Sequence, residues 1–216
     1  MRELFNPDGK IMHYGRKLAY LMWIQLLTLL CCIPLVTIGA SVTAMHKVLL
    51  QVYRNQEGNI TKTFFGAFIS NFTQATVIWV GYLVMLVALY LDYRLTANAT
   101  SYVLLGLRWL VPVALILMAL VLSWVFVLQS RYQNSILGTL RLSVAACIAH
   151  PLYTVFSVAL MCLPAFVLAL SWRLAPFVFF FGFTAPGLLR ATLYSKIFDD
   201  LEDTDWRKEA DDAECD

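Results

Sequence analysis

Long uncharged runs alternate with short charged segments along this chain. Five runs contain no charged residue, and they cover residues 18–46, 63–91, 109–130, 142–172 and 174–189. Each of the first four exceeds the about 20 residues that an α-helix needs to cross about 30 Å of hydrocarbon. The fifth run stays apolar beyond Arg190 as far as Phe198. The pattern predicts an all-α polytopic transmembrane helical bundle.

The first run contains a break. Pro34 disrupts the helical hydrogen bonds and Gly39 permits a reversal of the chain. After the break, Ala40–Tyr53 carries apolar residues at helical spacing. The run forms either one straight span, which gives five crossings, or a hairpin of two helices, which gives about six.

The distribution of lysine and arginine favours the hairpin. Cytoplasmic segments of membrane proteins carry an excess of these two residues. With six crossings and an inner N-terminus, thirteen of the sixteen lie on the inner side, whereas with five crossings seven do. We therefore predict about six spans, with both termini in the cytoplasm.

The second arm of this hairpin is short. It rises only about 22 Å at about 1.5 Å per residue. The turn from Pro34 to Gly39 should then lie below the outer membrane surface, where backbone groups need partners within the protein. We expect the turn to be buried against other helices, and its backbone to bond the hydroxyls of Thr37, Ser41 and Thr43.

Two further stretches are predicted to lie at the membrane interface, Thr63–Asn71 and Gln133–Ala149. In the second, one helical face consists of Leu137, Leu140, Val144 and Ile148, and another of Asn134, Gly138, Arg141 and Ala145. Such a pattern is typical of a helix on the cytoplasmic surface, and His150-Pro151 ends it. The aromatic residues near predicted span ends are expected in the interfacial belts; they include Tyr102, Trp109, Trp124, Tyr132 and Trp172.

Composition and charge exclude a soluble globular enzyme, a disordered chain and a secreted disulfide scaffold. Hydrophobic residues make up 60% of the chain and charged residues 14%, and 12 of the 30 charged residues lie in residues 199–216. We therefore expect one transmembrane domain over residues 1–198, in contact with the lipid bilayer, and a disordered acidic cytoplasmic tail over residues 199–216. The basic residues are dispersed beside apolar runs, which argues against nucleic-acid binding.

No catalytic constellation is present in the sequence. No aspartate or glutamate lies inside a predicted span, and Arg190 lies near the inner end of the last span. Spacings typical of zinc sites, serine nucleophiles and phosphate-binding loops are missing. His46 and His150 are interpreted as packing residues near the cytoplasmic boundary. We expect no enzyme activity, metal or cofactor.

Several motifs resemble those of the YesL family of bacterial integral membrane proteins. The resemblance covers roughly residues 1–200. Its motifs are Pro34-x-x-Thr37-x-Gly39, Thr43-Ala44, Arg54…Glu57-Gly58, Phe64-Phe65…Phe68…Asn71-Phe72, Gly182-Phe183-x-x-Pro186 and Leu193…Ile197-Phe198.

The resemblance implies a role accessory to carbohydrate uptake. Members are often encoded beside ABC-type sugar importers, so a bacterial plasma membrane and an importer permease as partner are expected, without transferred catalytic residues. Gly138, followed by nine residues and then Ile148-x-x-Pro151, also resembles half of the helix that importer permeases dock on their ATPase. The residues expected at interfacial helices and a partner contact are Phe64, Phe68, Asn71, Phe72, Leu137, Gly138, Arg141, Ile148, His150 and Pro151.

A transporter or permease component is the alternative. Binding sites of transporters use broken helices, and prolines interrupt this chain near predicted span ends. Such a component would act as a homo-oligomer, with a lumen lined by Gln25, Thr37, Ser41, Thr43 and Gln74.

Overall fold

The computed structural model describes residues 10–54, 56, 58–96, 102–131 and 135–195, and all regular structure in these residues is helical. The predicted acidic tail lies outside the described residues. The helices are α1 (Lys10–Cys31), a 3-10 turn (Leu35–Thr37), α2 (Ile38–Tyr53), α3 (Ile60–Leu95), α4 (Tyr102–Arg131), α5 (Ile136–Ala149), α6 (Pro151–Leu170), a second 3-10 turn (Trp172–Leu174), α7 (Ala175–Phe181) and α8 (Thr184–Ser195).

Four of these helices are long and apolar enough to cross a membrane. They are α2 with its preceding 3-10 turn, α3, the Trp109–Arg131 part of α4, and α6. The second 3-10 turn with α7, followed by α8, gives a fifth candidate, bent by 50° at the break between α7 and α8. The predicted all-helical fold is thus confirmed, with four or five helices that could cross a membrane.

The main apolar core lies where α1, α2, the first turns of α3 and α8 meet. Ile24, Leu49 and Phe64 are fully buried there, and Ala191 of α8 packs against the same cluster. Removal of such side chains from water contributes about 1.5–3 kcal/mol each in a soluble protein. In lipid, close packing of the helices replaces much of that driving force.

The turn between α1 and α2 differs from its prediction. Ile33, Pro34, Leu35 and Val36 are exposed on this chain, so the expected burial of the turn is wrong for them. Their backbone has partners nonetheless, because the indole Nε1 of Trp79 donates to the Leu35 carbonyl at 2.8 Å. With these partners, the turn does not need to lie inside the bundle.

The three hydroxyls expected to bond the backbone near this turn do so. Thr37 Oγ1 lies 2.6 Å from the Cys31 carbonyl oxygen and 2.8 Å from that of Pro34. Ser41 Oγ donates to the Thr28 carbonyl at 3.1 Å. Thr43 Oγ1 donates to the carbonyl of residue 39 at 2.9 Å. The carbonyls of Thr28 and Pro34 also accept from the amides of Cys32 and Thr37, so the hydroxyls add second bonds there.

The predicted interfacial stretch Thr63–Asn71 is not a separate helix. It forms the first turns of α3, whose 36 residues are continuous and rise roughly 54 Å. Asn59 begins the helix by accepting from the Lys62 amide at 3.2 Å. No proline interrupts the sequence from Ile60 to Leu95, so nothing in the chain stops the helix at Asn71.

The second interfacial stretch does form a helix of its own, α5. Ser135 Oγ accepts from the Gly138 amide at 3.2 Å and so caps its start, and Pro151 begins the next helix. Thr139 and Ser143 are buried, whereas Val144 is exposed. α5 thus directs small polar residues to the bundle and apolar residues outward, as suits a helix beside lipid.

Candidate functional site

Two helix breaks border one cavity inside the bundle. Cys32 and Ile38 line it beside the break between α1 and α2, and Phe183 and Pro186 line it beside the break between α7 and α8. The volume is about 300 Å³, at the lower end of the range for small-ligand sites. Broken helices that meet at an internal cavity are also found at the binding sites of secondary transporters.

Arg190 of α8 is the one charged residue among those that line this cavity. The side chain is only 6% exposed. Its Nη2 donates to the Ser123 carbonyl at 2.9 Å, and its guanidinium carbon lies 5.9 Å from the centre of the Tyr194 ring. Its Nε is buried and has no hydrogen-bond partner. A buried cation with an unused donor therefore borders the cavity.

No carboxylate in the described part of the chain lies close to this cation. Asp92 is the one acidic residue there, near the end of α3. α3 packs against the segment of α4 around Ser123 through Ile78, which lies fourteen residues before Asp92. That separation corresponds to roughly 21 Å along the helix. Neutralisation of Arg190 by Asp92 is excluded by this distance.

A buried polar network joins α4, α6 and α8 around the arginine. Tyr194 donates its hydroxyl to the Ser123 carbonyl at 3.2 Å, and this hydroxyl lies 2.7 Å from Ser157 Oγ. Trp124 donates its indole N–H to Thr154 Oγ1 at 2.8 Å and packs edge-on against the Tyr194 ring. The network fixes the position of α8 against its neighbours and thereby orients Arg190.

Gln25 of α1 holds the start of α8. Its side chain is fully buried, and its Oε1 accepts from the amides of Phe183 and Thr184 at 3.2 and 3.0 Å. The first amides of a helix have no partner within it. Pro186 has no amide hydrogen, and the first helical bond of α8 runs from the Gly187 amide to the Phe183 carbonyl at 2.9 Å. Gln25 thus supplies partners where the chain lacks them.

Further unused polar atoms lie on the helices around the cavity. His46 of α2 is buried, and it lies near enough to Arg190 for the two side chains to interact electrostatically. His46 Nε2, Gln25 Nε2 and Thr184 Oγ1 are buried without a hydrogen-bond partner. The interior therefore has more hydrogen-bonding capacity than its described contacts use, a feature typical of binding sites.

The predicted turn and last-span residues lie near this site. Gly182 is buried at the α7–α8 break, and Pro186 lies in the first turn of α8. Gly39 lies in the first turn of α2 rather than in the chain reversal, where the prediction placed it. A methyl group on it would come within 2.6 Å of the Ala75 carbonyl oxygen, so close packing of α2 against α3 requires glycine there.

The residues predicted at a partner contact separate into two groups. Phe64 and Asn71 are buried in this chain, which corrects their assignment to a partner surface, and Phe68 packs partly against the same core. The other predicted contact residues are at the surface. Exposed residues among them are Phe72, Leu137, Arg141, Ile148 and Pro151, and half-buried residues are Gly138 and His150. Phe64 and Asn71 are buried because α1 and α2 enclose the first turns of α3.

Sequence reasoning missed most of the Arg190 network. Tyr194 was not singled out, although the i, i+4 spacing of Arg190 and Tyr194 places them on one helical face. Trp124 was expected in an interfacial belt, but it is 1% exposed. Trp109 and Trp172 are exposed, as belt residues would be. Of the other expected belt residues, Tyr132 and the side chain of Tyr102 are not described.

Comparison with known proteins identifies one family match. Residues 18–93 match the model of a family described as a protein of unknown function, DUF624. The match covers most of α1, all of α2 and nearly all of α3, including the contact between Gly39 and Ala75. No curated protein and no solved structure matches the chain.

Proposed function

We propose that this chain is a non-catalytic multi-pass protein of a bacterial plasma membrane and an accessory to an ABC-type carbohydrate importer. Its resemblance to the YesL family supports this role, and the family match overlaps the most specific of the shared motifs. A structural feature supports the same proposal. Helix α5 lies on the bundle surface with an outward stripe that the described part of the chain does not cover.

That stripe is the observation on which the accessory role depends. Leu137 and Ile148 are 68% and 74% exposed, and Arg141 and Val144 are exposed between them. The four residues follow one face of the helix at spacings of three or four, so Arg141 lies on the same face as the three apolar residues and not on the separate face that the sequence predicted. Exposed apolar residues around one cation can contact a membrane subunit on one side and a cytoplasmic subunit on the other.

A pull-down tests this role. The tagged protein would be extracted from its native membranes in mild detergent, and its partners identified by mass spectrometry. We expect importer subunits with the native chain, and about a tenfold loss with Leu137→Ala or Arg141→Glu, because central interface residues often contribute 2 kcal/mol or more. Arg173→Glu makes the same charge change at an exposed residue outside α5 and should retain the subunits.

Six crossings with an inner N-terminus form part of this proposal. The hydrogen bond between Ser41 and Thr28 and the one between Trp23 and Thr61 support antiparallel packing of α1 and α2. The end of α2 then lies beside the start of α1. Basic residues gather at this end of the bundle, where Lys47, Arg54 and Arg131 border one cavity of about 260 Å³. Such clustering is typical of a cytoplasmic face.

Reporter fusions test the topology. Six crossings place Thr96 outside and Gln56 inside, whereas five crossings reverse both positions. Alkaline phosphatase, which is active only outside the cytoplasm, should therefore be active when fused after Thr96 and inactive when fused after Gln56. Green fluorescent protein at the C-terminus should fluoresce. The reverse pattern would eliminate the six-span arrangement.

A transporter that acts as a homo-oligomer is the second candidate. The observation that favours it is the cavity bordered by two helix breaks and Arg190. If the pull-down recovers this chain alone, at several times the monomer mass, flux into proteoliposomes becomes the deciding measurement.

A further inference from the structure

The described interior holds a charge that its own residues do not neutralise. Arg190 is buried, its Nε lacks a partner, and the one described carboxylate is that of Asp92, far along α3. A charge withdrawn from water without a counterion costs several kcal/mol. An ionisable side chain inside a membrane bundle therefore indicates a functional partner, and the cavity beside Arg190 offers the space for one.

We propose that this cavity binds the carboxylate of a single-chain amphiphile, such as a fatty acid. The carboxylate pairs with Arg190, and the acyl chain lies along the apolar wall of the cavity. This inference goes beyond the accessory role and does not depend on it.

Charge and volume favour this ligand over a phosphate compound. The planar guanidinium matches a carboxylate geometrically, and each group carries one charge. A phosphate monoester carries about −1.5 to −2 at pH 7, which would leave negative charge uncompensated. A phospholipid brings two acyl chains, which a cavity of about 300 Å³ cannot enclose.

The wall suits an acyl chain. Six helices contribute apolar side chains to it: Leu29 of α1, Val42 of α2, Trp79 of α3, Phe126 of α4, Leu160 of α6 and Pro186 of α8. α6 packs against α4, α5, α7 and α8, and the cavity lies in the gap between α6 and the α1–α2 hairpin. Met161 is partly exposed at this gap. An amphiphile dissolved in the bilayer can enter the cavity sideways.

Binding of cis-parinaric acid tests the proposal. Its polyene chain accepts energy from tryptophan, and Trp79 lines the cavity. Full-length protein in nanodiscs would be titrated with the acid and with the corresponding alcohol, with empty nanodiscs as the background. We expect saturable binding of one acid per protein and about tenfold or more weaker binding of the alcohol, because it lacks the charge.

Two variant pairs locate the site. Arg190→Gln should weaken binding of the acid by about tenfold or more, whereas Arg173→Gln removes an exposed charge and should change it less than about twofold. Val42→Phe fills the cavity and leaves Arg190 in place, so it should also weaken binding. Val155→Phe changes an exposed position of α6 outside the cavity and should not.

Specific results would overturn the proposal. They are equal binding of acid and alcohol, native affinity in Arg190→Gln, or native affinity in Val42→Phe. Tighter binding of dodecyl phosphate than of dodecanoate would replace the carboxylate by a phosphate. If Arg190→Gln does not fold, the comparison of acid with alcohol and the Val42→Phe pair still decide.

Discussion

Replacement of Gly39 by alanine should destabilise the bundle by roughly 1–3 kcal/mol, the usual effect of overpacking. The new methyl group would lie 2.6 Å from the Ala75 carbonyl oxygen and 2.8 Å from Trp79 Cβ. The carbonyl belongs to the backbone of α3 and cannot turn aside, so α2 and α3 must separate. That movement also weakens the bond from Trp79 to the Leu35 carbonyl, which leaves a turn carbonyl without its partner.

Thermal unfolding in detergent, followed by size-exclusion chromatography, measures this effect. Gly81→Ala is a matched control, because Gly81 lies in α3 and no atom of another helix lies within 4 Å of the added methyl group. Alanine favours a helix over glycine by about 1 kcal/mol, so this control should be neutral or stabilising. Opposite signs for the two variants support close approach at Gly39. Equal unfolding temperatures would show that α2 and α3 do not pack as described.

Features encoded locally along the chain could be predicted well. Charge-free runs indicated the apolar spans, and Pro34 marked the break between α1 and α2. Pro151 marked the end of the stretch that forms α5, whereas Ser135, which caps the start of the helix, lies two residues after the predicted start at Gln133. Hydroxyl contacts near the first break followed from the same local reasoning, because serine and threonine hydroxyls readily bond nearby backbone groups.

The candidate site was harder to predict, because it depends on which helices are neighbours. Trp124 lies near the predicted end of a span, which suggested an interfacial belt. In the structure, Ala146 and Cys147 of α5 pack against its cluster, and Tyr194 of α8 covers its ring. Hydropathy is the same for a span that faces lipid and one that faces another helix. The convergence of Arg190, Tyr194 and Ser123 therefore had no signature in one sequence.

The continuity of the long helix α3 was also hard to predict from the sequence. Polar residues near Asn71 suggested that an interfacial helix ends there and a span begins. A helix stops only where its hydrogen bonds fail, and no proline or capping sequence causes that between Ile60 and Leu95. The polar residues near Asn71 indicated the environment of this segment. The helix continues through it because its backbone hydrogen bonds are not interrupted.

Gln25→Leu should loosen the break between α7 and α8 and destabilise the bundle by roughly 2–4 kcal/mol. Leucine fills a similar volume but accepts no hydrogen bond, so the partly buried amide of Phe183 and the buried amide of Thr184 lose their acceptor. Each buried amide left without a partner costs about 1–3 kcal/mol. Pro186 worsens the loss, because residues after the break cannot wind back into a continuous helix through it.

Hydrogen exchange of the peptide that spans residues 178–190 measures this loosening directly. We expect faster exchange there in Gln25→Leu, together with a lower unfolding temperature. Gln25→Glu is the matched variant, since it keeps the accepting oxygens and places negative charge at the start of α8, where the helix dipole favours it. Protection should therefore return in the glutamate variant. If hydrogen exchange in Gln25→Leu is as slow as in the native protein, packing alone holds the break, without a contribution from the Gln25 side chain.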